Sequence, residues 1–140
     1  MNKALLDTDI LSEIGKAKDA TVAANAKTYR RSFGHFTFST VTVMEIVSGF
    51  QRTRATGRLN AFLATLPHME ILTLDQPVAE LAGRVSGDLE RVGQPIGVAD
   101  TMIAAIAIDN GLQLVTGNTA DYQRVQQLGY PLILTNWRIP

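Results

Sequence analysis

The stretch Val98-Ala99-Asp100-Thr101-Met102-Ile103-Ala104-Ala105-Ile106-Ala107-Ile108-Asp109-Asn110-Gly111-Leu112-Gln113-Leu114-Val115-Thr116-Gly117 reads as a helix, a stop and a strand in immediate succession. Val98 to Ile108 is apolar on nearly every side, the pattern of a buried helix rather than of an amphipathic surface helix. Asn110-Gly111 ends it. Leu112 to Val115 is a short apolar run that closes on Thr116-Gly117. A helix feeding a strand in this way is half of a β-α repeat, and the chain on either side continues the alternation. Further strand candidates are Ala4–Leu6, Phe36–Phe38, Ile71–Leu74 and Leu132–Leu134, each bounded by Asp, Thr, Pro, Gly or Asn. Asp75 followed by Gln76-Pro77 reads as an N-cap with proline in the first turn, and Val78, Leu81, Ala82 and Val85 recur at helical spacing. The pattern predicts an α/β fold with a mostly parallel sheet of about five strands.

Length and composition agree with one domain over residues 1–140: 140 residues, 46% hydrophobic and 19% charged, enough to bury roughly two-thirds of the unfolded surface around one core. There is no cysteine, which excludes disulfide scaffolds, thiolate zinc sites and cysteine nucleophiles. No apolar run approaches the ~20 residues of a membrane span, and the Met-Asn-Lys start has no signal-like apolar region, so the expectation is a cytoplasmic protein without a membrane. Thirteen basic residues balance thirteen acidic ones, but unevenly. Residues 1–60 hold nine Lys and Arg against five Asp and Glu, and residues 61–140 hold four against eight. Overall neutrality therefore does not exclude a nucleic-acid partner.

In a parallel sheet, ligands bind beyond the carboxyl ends of the strands. Asp7 follows the first strand directly. Glu45 lies early in the helix after the second, which Thr40 or Thr42 could cap. Asp100 stands near the start of the all-apolar helix, and Asp121 follows the fourth strand in Thr116-Gly117-Asn118-Thr119-Ala120-Asp121-Tyr122. Four carboxylates from four β-α junctions would repel one another, and a hard divalent cation such as Mg²⁺ or Mn²⁺ resolves that conflict. Such a centre suits metal-assisted hydrolysis of phosphodiesters by an activated water. His35 and His68 are the only histidines, and neither adjoins a plausible nucleophile.

These residues resemble a known family, the PIN-domain ribonucleases, and especially the VapC toxins of bacterial toxin–antitoxin pairs. Leu5-Leu6-Asp7-Thr8-Asp9-Ile10-Leu11-Ser12-Glu13 is similar to the family's opening motif, although an asparagine is commoner where Asp9 stands. Thr40-Val41-Thr42-Val43-Met44-Glu45-Ile46 is similar to its second motif, Gly97-Val98-Ala99-Asp100-Thr101-Met102-Ile103-Ala104 to its third, and Val115 to Tyr122 to its fourth, in the family's order and spacing. The resemblance implies a three-layer α/β/α sandwich, one or two Mg²⁺ or Mn²⁺ ions on Asp7, Glu45, Asp100 and Asp121, and endonucleolytic RNA cleavage with structured targets such as tRNA. It also implies homodimerisation and a cognate antitoxin protein that joins it in a hetero-oligomer. Gly15 departs from the family's pattern and leaves the length of the first helix open.

Asp9 has three readings: a water-mediated metal contact, a brace for Asp7, or a cap. Thr116 and Asn118 position a water or the Asp121 loop, or serve only the turn. Lys16, Lys18, Lys27, Arg30, Arg31, Arg52, Arg54 and Arg58 form a basic first half that is an RNA surface or a solvated face. Trp137 near the carboxyl end either packs on the last strand or stacks a base, with packing favoured. The main enzymatic rival is a haloacid-dehalogenase-like phosphatase, for which Asp7-Thr8-Asp9 would be the nucleophile and acid pair, with Ser39 after the second strand. That chemistry calls for a lysine from the later half of the chain, whereas the last lysine is Lys27. A non-catalytic relative that only pairs with an antitoxin and DNA is the rival from another class.

Overall fold

A computed structural model describes all 140 residues. The chain runs β1 (Ala4–Leu6), α1 (Thr8–Lys16), α2 (Ala20–Phe33), β2 (Thr37–Ser39), α3 (Thr40–Arg52), α4 (Thr56–Thr65), a 3₁₀ turn (Leu66–His68), β3 (Glu70–Leu72), α5 (Gln76–Arg91), α6 (Val98–Asp109), β4 (Gln113–Val115), α7 (Thr119–Gln127) and β5 (Leu134–Thr135). All strand pairs are parallel. Strand ends shift by one or two residues from the sequence reading: β2 and β5 start later, and β3 stops at Leu72.

The helix boundaries follow from local chemistry. Asp75 caps α5 by accepting from Val78 N, with Pro77 in the first turn, as expected. Asp19 caps α2 through Thr21 N and Val22 N, and Gly34 ends that helix at φ +79°. At α3 the cap is Ser39, which accepts from Thr42 N, rather than Thr40 or Thr42, because the last residue of β2 is already placed to fold back on the first turn. Gly15 does not shorten α1. That helix runs to Lys16 and stops at Ala17, which takes the left-handed conformation at φ 54°.

The five strands form two hydrogen-bonded ladders, β1-β4-β5 and β2-β3, rather than one continuous ladder. β1 lies alongside β2, so the strands still succeed one another in the order β3, β2, β1, β4, β5. At the start of β1 the Tyr29 hydroxyl accepts from Ala4 N at 3.1 Å and donates to Ala4 O at 3.2 Å. Those are backbone groups of the kind through which β1 would extend its ladder.

Alternation along the strands makes the sandwich. Leu5 and Leu114 face one core with Val78, Val85 and Leu89 of α5, Ile103 and Ile106 of α6, and Tyr122 of α7. Ala4, Leu6 and Val115 face the other, with Ile10, Val22, Ala26, Tyr29, Phe38 and Trp137. Residues Ile103 to Ala107 have no exposed surface, so α6 is buried as its composition predicts. Its first turn nevertheless carries Asp100, at the end where the helix dipole favours an anion. No helix is long and apolar enough to cross a membrane.

Candidate active site

Asp7 follows the last residue of β1 and caps α1. It is 4% exposed. Oδ1 accepts from Thr8 N at 2.9 Å and Oδ2 from the Thr116 hydroxyl at 2.8 Å. Burial pushes its carboxyl up to about 7, with the charges of Asp9 and Asp100 adding to the rise and the Thr116 bond opposing it.

Asp100, one turn into α6, is half-buried. Oδ1 accepts from the Tyr122 hydroxyl at 3.2 Å and Oδ2 from Asn118 Nδ2 at 3.3 Å. Its carboxyl is also raised, first by burial and then by the charges of Glu45, Asp121 and Asp9, against the Tyr122 bond. Tyr122 has no exposed surface, and burial beside Asp7 and Asp100 raises its phenol so far that it remains a donor.

The other two acids reach the same end of the sheet. Glu45 Oε1 accepts from the Thr8 hydroxyl at 2.6 Å, and that hydroxyl lies 3.0 Å from the Thr42 hydroxyl. Glu45 is half-buried, while Met44 beside it is 56% exposed, so α3 is less enclosed than its apolar neighbours suggest. Asp121 Oδ2 accepts from Asn118 Nδ2 at 3.1 Å, which makes that amide a bridge between Asp100 and Asp121. Asn118 N in turn donates to the Thr116 hydroxyl at 2.9 Å. Thr116 and Asn118 are therefore bound to the acids as well as shaping the turn. Asp9 braces a neighbouring loop: Oδ2 accepts from Gly117 N at 2.9 Å and lies 3.5 Å from Arg138 Nη1, while Oδ1 is buried with no partner.

Five acids thus sit within one another's fields at the carboxyl end of the strands, held by hydroxyl and amide donors. The side chains as placed do not gather three of them around one point. The sequence reading did not single out Thr8, Tyr122, Gly117 or Arg138. Thr8 and Tyr122 lie in the acidic motifs themselves, where a hydroxyl one residue from an aspartate was the available signal. The basic residues of α2 lie elsewhere: Lys27, Arg30 and Arg31 line a groove of about 460 Å³ with Ile14 and Phe36, with Arg30 stacked 5.7 Å over the Phe36 ring. Trp137 is 4% exposed and packs 5.5 Å from the Tyr29 ring.

The PIN-domain sequence profile matches residues 4–128, a span that includes all four acidic motifs. The chain belongs to the PIN-domain family. Within it, the chain is 32% identical to the tRNA(fMet)-specific endonuclease VapC of Shigella flexneri, covering 89% of this chain and 93% of that one. It is 29% identical to ribonuclease VapC2 of Haemophilus influenzae over the same shares. In structure it resembles a chain of the DNA-bound VapBC complex of Salmonella typhimurium, with a TM-score of 0.80, 27% identity, and coverage of 98% of this chain and 99% of that one. Ser39, offered by the phosphatase alternative, caps α3, and Lys27 lines the α2 groove.

Proposed function

We propose that this PIN domain is the ribonuclease toxin of a toxin–antitoxin pair. In this reading it hydrolyses RNA phosphodiester bonds with Mg²⁺ or Mn²⁺ held by Asp7, Glu45, Asp100 and Asp121. The observation that carries the reading is the pair Asp7 and Asp100, both buried enough to resist ionisation and both surrounded by further acids. Such a cluster is costly unless a cation joins it. The donor set fits a hard cation: the acids offer oxygen only, and no cysteine or histidine lies among their hydrogen-bond partners. Between Asp100 and Asp121 the present donor is a neutral amide, and the cation beside the pair is Arg124, whose Nη1 lies 4.0 Å from Asp121 Oδ1.

When bound, the cation supplies charge neutralisation and acidifies a water for attack on phosphorus. The chain's own residues supply the rest. Thr8 N and Thr116 fix both oxygens of Asp7, so that the carboxylate faces the centre in one orientation. Tyr122 and Asn118 do the same for Asp100, and Thr8 holds one oxygen of Glu45. Asp7, with its carboxyl pushed up to about 7, would give up its proton on binding the cation, which couples proton release to cation binding.

The Shigella and Haemophilus relatives support RNA as the substrate, and the first supports tRNA in particular. The Salmonella complex supports an antitoxin partner in a hetero-oligomer. Homodimerisation is proposed on the family resemblance alone. The test is product release from labelled tRNA and unstructured RNA by purified protein, with Mg²⁺ or with excess EDTA and with Asp100→Asn alongside. The reading expects divalent-dependent cleavage that Asp100→Asn abolishes with its fold intact. Hydrolysis of p-nitrophenyl phosphate with no RNA cleavage would transfer the site to phosphatase chemistry.

A further inference from the structure

We infer that Arg138 binds a phosphate of the RNA beside the acidic centre, oriented there by Asp9. This rests on the ribonuclease reading and adds a cationic substrate contact from the far end of the chain.

The segment that delivers Arg138 is anchored. Trp137 is buried against Tyr29, its carbonyl accepts from Asn25 Nδ2 at 3.1 Å, and Arg138 N donates to Asn136 Oδ1 at 3.0 Å. The guanidinium then lies directly on the backbone of the loop after β4. A Cβ at Gly117 would stand 1.9 Å from Arg138 Nη1 and 2.7 Å from Cζ. Gly117 is not among the glycines with positive φ, so a side chain there would disturb the space taken by Arg138 and Asp9 and not the backbone conformation. The carboxylate opposite is fixed too, since Asp9 Oδ2 accepts from Gly117 N.

The guanidinium so placed is under-used. Its contact with Asp9 is ionic at 3.5 Å, it makes no hydrogen bond within the chain, and its side chain is 38% exposed. An exposed ion pair of this length contributes little stability. A guanidinium has five N–H donors in a planar fork that matches phosphate oxygens. It stands against Asp9, whose charge acts on both Asp7 and Asp100. An RNA phosphate approaching these acids is repelled by them, and a pre-positioned cation at their edge offsets that repulsion and fixes the strand's register.

The experiment measures binding of fluorescein-labelled bulk tRNA in the Asp100→Asn background without divalent ion, and steady-state cleavage in the active background with Mg²⁺. Arg138→Ala is expected to weaken binding about tenfold and to reduce the slope of log Kd against log salt by about one contact. In the active background it raises KM more than it lowers kcat. Arg138→Lys restores the salt slope, because the charge returns, without the full affinity. A guanidinium that serves only to balance Asp9 predicts a different result: the double variant Asp9→Asn with Arg138→Ala would recover wild-type affinity. That recovery, or an Arg138→Ala variant that binds and cleaves as wild type does, overturns the inference while leaving the ribonuclease reading standing. A wild-type protein that neither binds nor cleaves RNA overturns both.

Discussion

The Thr116 hydroxyl donates to Asp7 Oδ2 at 2.8 Å and so ties the loop after β4 to the carboxyl end of β1, 109 residues earlier in the chain. The same hydroxyl accepts from Asn118 N, whose side chain holds Asp100 and Asp121. One threonine therefore links three of the four acids proposed to hold the cation. Thr116→Val keeps the volume and removes the donor. We expect a loss of about 1–3 kcal/mol in urea unfolding at pH 8 without metal, because a buried acceptor is left unpaired. Weaker Mg²⁺ activation of cleavage should accompany it.

Stability of the metal-free protein should fall as pH rises, the reverse of ordinary acid unfolding. Asp7 has an ordinary value of 3.8 and about 7 in the fold, so between these the native state binds the extra proton. Stability from this group is complete below about pH 4 and is lost as pH rises through about 7; Asp100 acts in the same direction. Melting in EDTA should show a falling Tm from about pH 5 to about pH 8. Asp7→Asn should flatten the fall. Millimolar Mg²⁺ should raise Tm more at the upper end than at the lower, since protons and cation compete for the same oxygens.

Tyr122→Phe isolates the role of one hydroxyl. The ring stays in the core, and Asp100 keeps only the Asn118 amide as its partner. The expected outcome is a roughly tenfold fall in kcat/KM, the equivalent of one hydrogen bond to a charged group, with a stability change near ~1 kcal/mol. Parallel cleavage and unfolding measurements separate the two effects.

Gly117→Ala puts a methyl where the Arg138 guanidinium lies. The exposed end of the arginine swings aside, but the methyl also stands 2.8 Å from Asp9 Oδ2, so both side chains must shift and Tm should fall by a few degrees. The affinity for tRNA should fall as it does in Arg138→Ala. The two substitutions should be non-additive, because each removes the same contact.

The α/β class, the buried α6 and the positions of Asp7 and Asp121 after strands are legible in the sequence because each rests on local chemistry. An all-apolar run ended by Asn110-Gly111, a cap at Asp75 and the acids that follow β1 and β4 need no knowledge of distant partners. Asp100, by contrast, does not stand at a β-α junction, because α6 follows α5 with no strand between them. The contact of the Tyr29 hydroxyl with Ala4 at the start of β1 was not legible, since it joins residues 25 apart in the chain. Arg138 was hidden for a similar reason. Nothing near it in sequence is acidic, and only the return of β5 beside β4 brings it onto Gly117 and Asp9. Ser39 as the α3 cap turned on a boundary of one residue, where strand and helix propensities compete.

The most direct test of the central claim is the chemistry of the cut ends. The acids at the strand ends are proposed to serve a metal-activated water, and no part in that scheme falls to the ribose 2′-hydroxyl. Labelled RNA cut by the purified protein with Mg²⁺ should carry 5′-phosphate and 3′-hydroxyl ends, and cutting should stop in excess EDTA. Products ending in a 2′,3′-cyclic phosphate, or cleavage that persists in EDTA, would contradict the account.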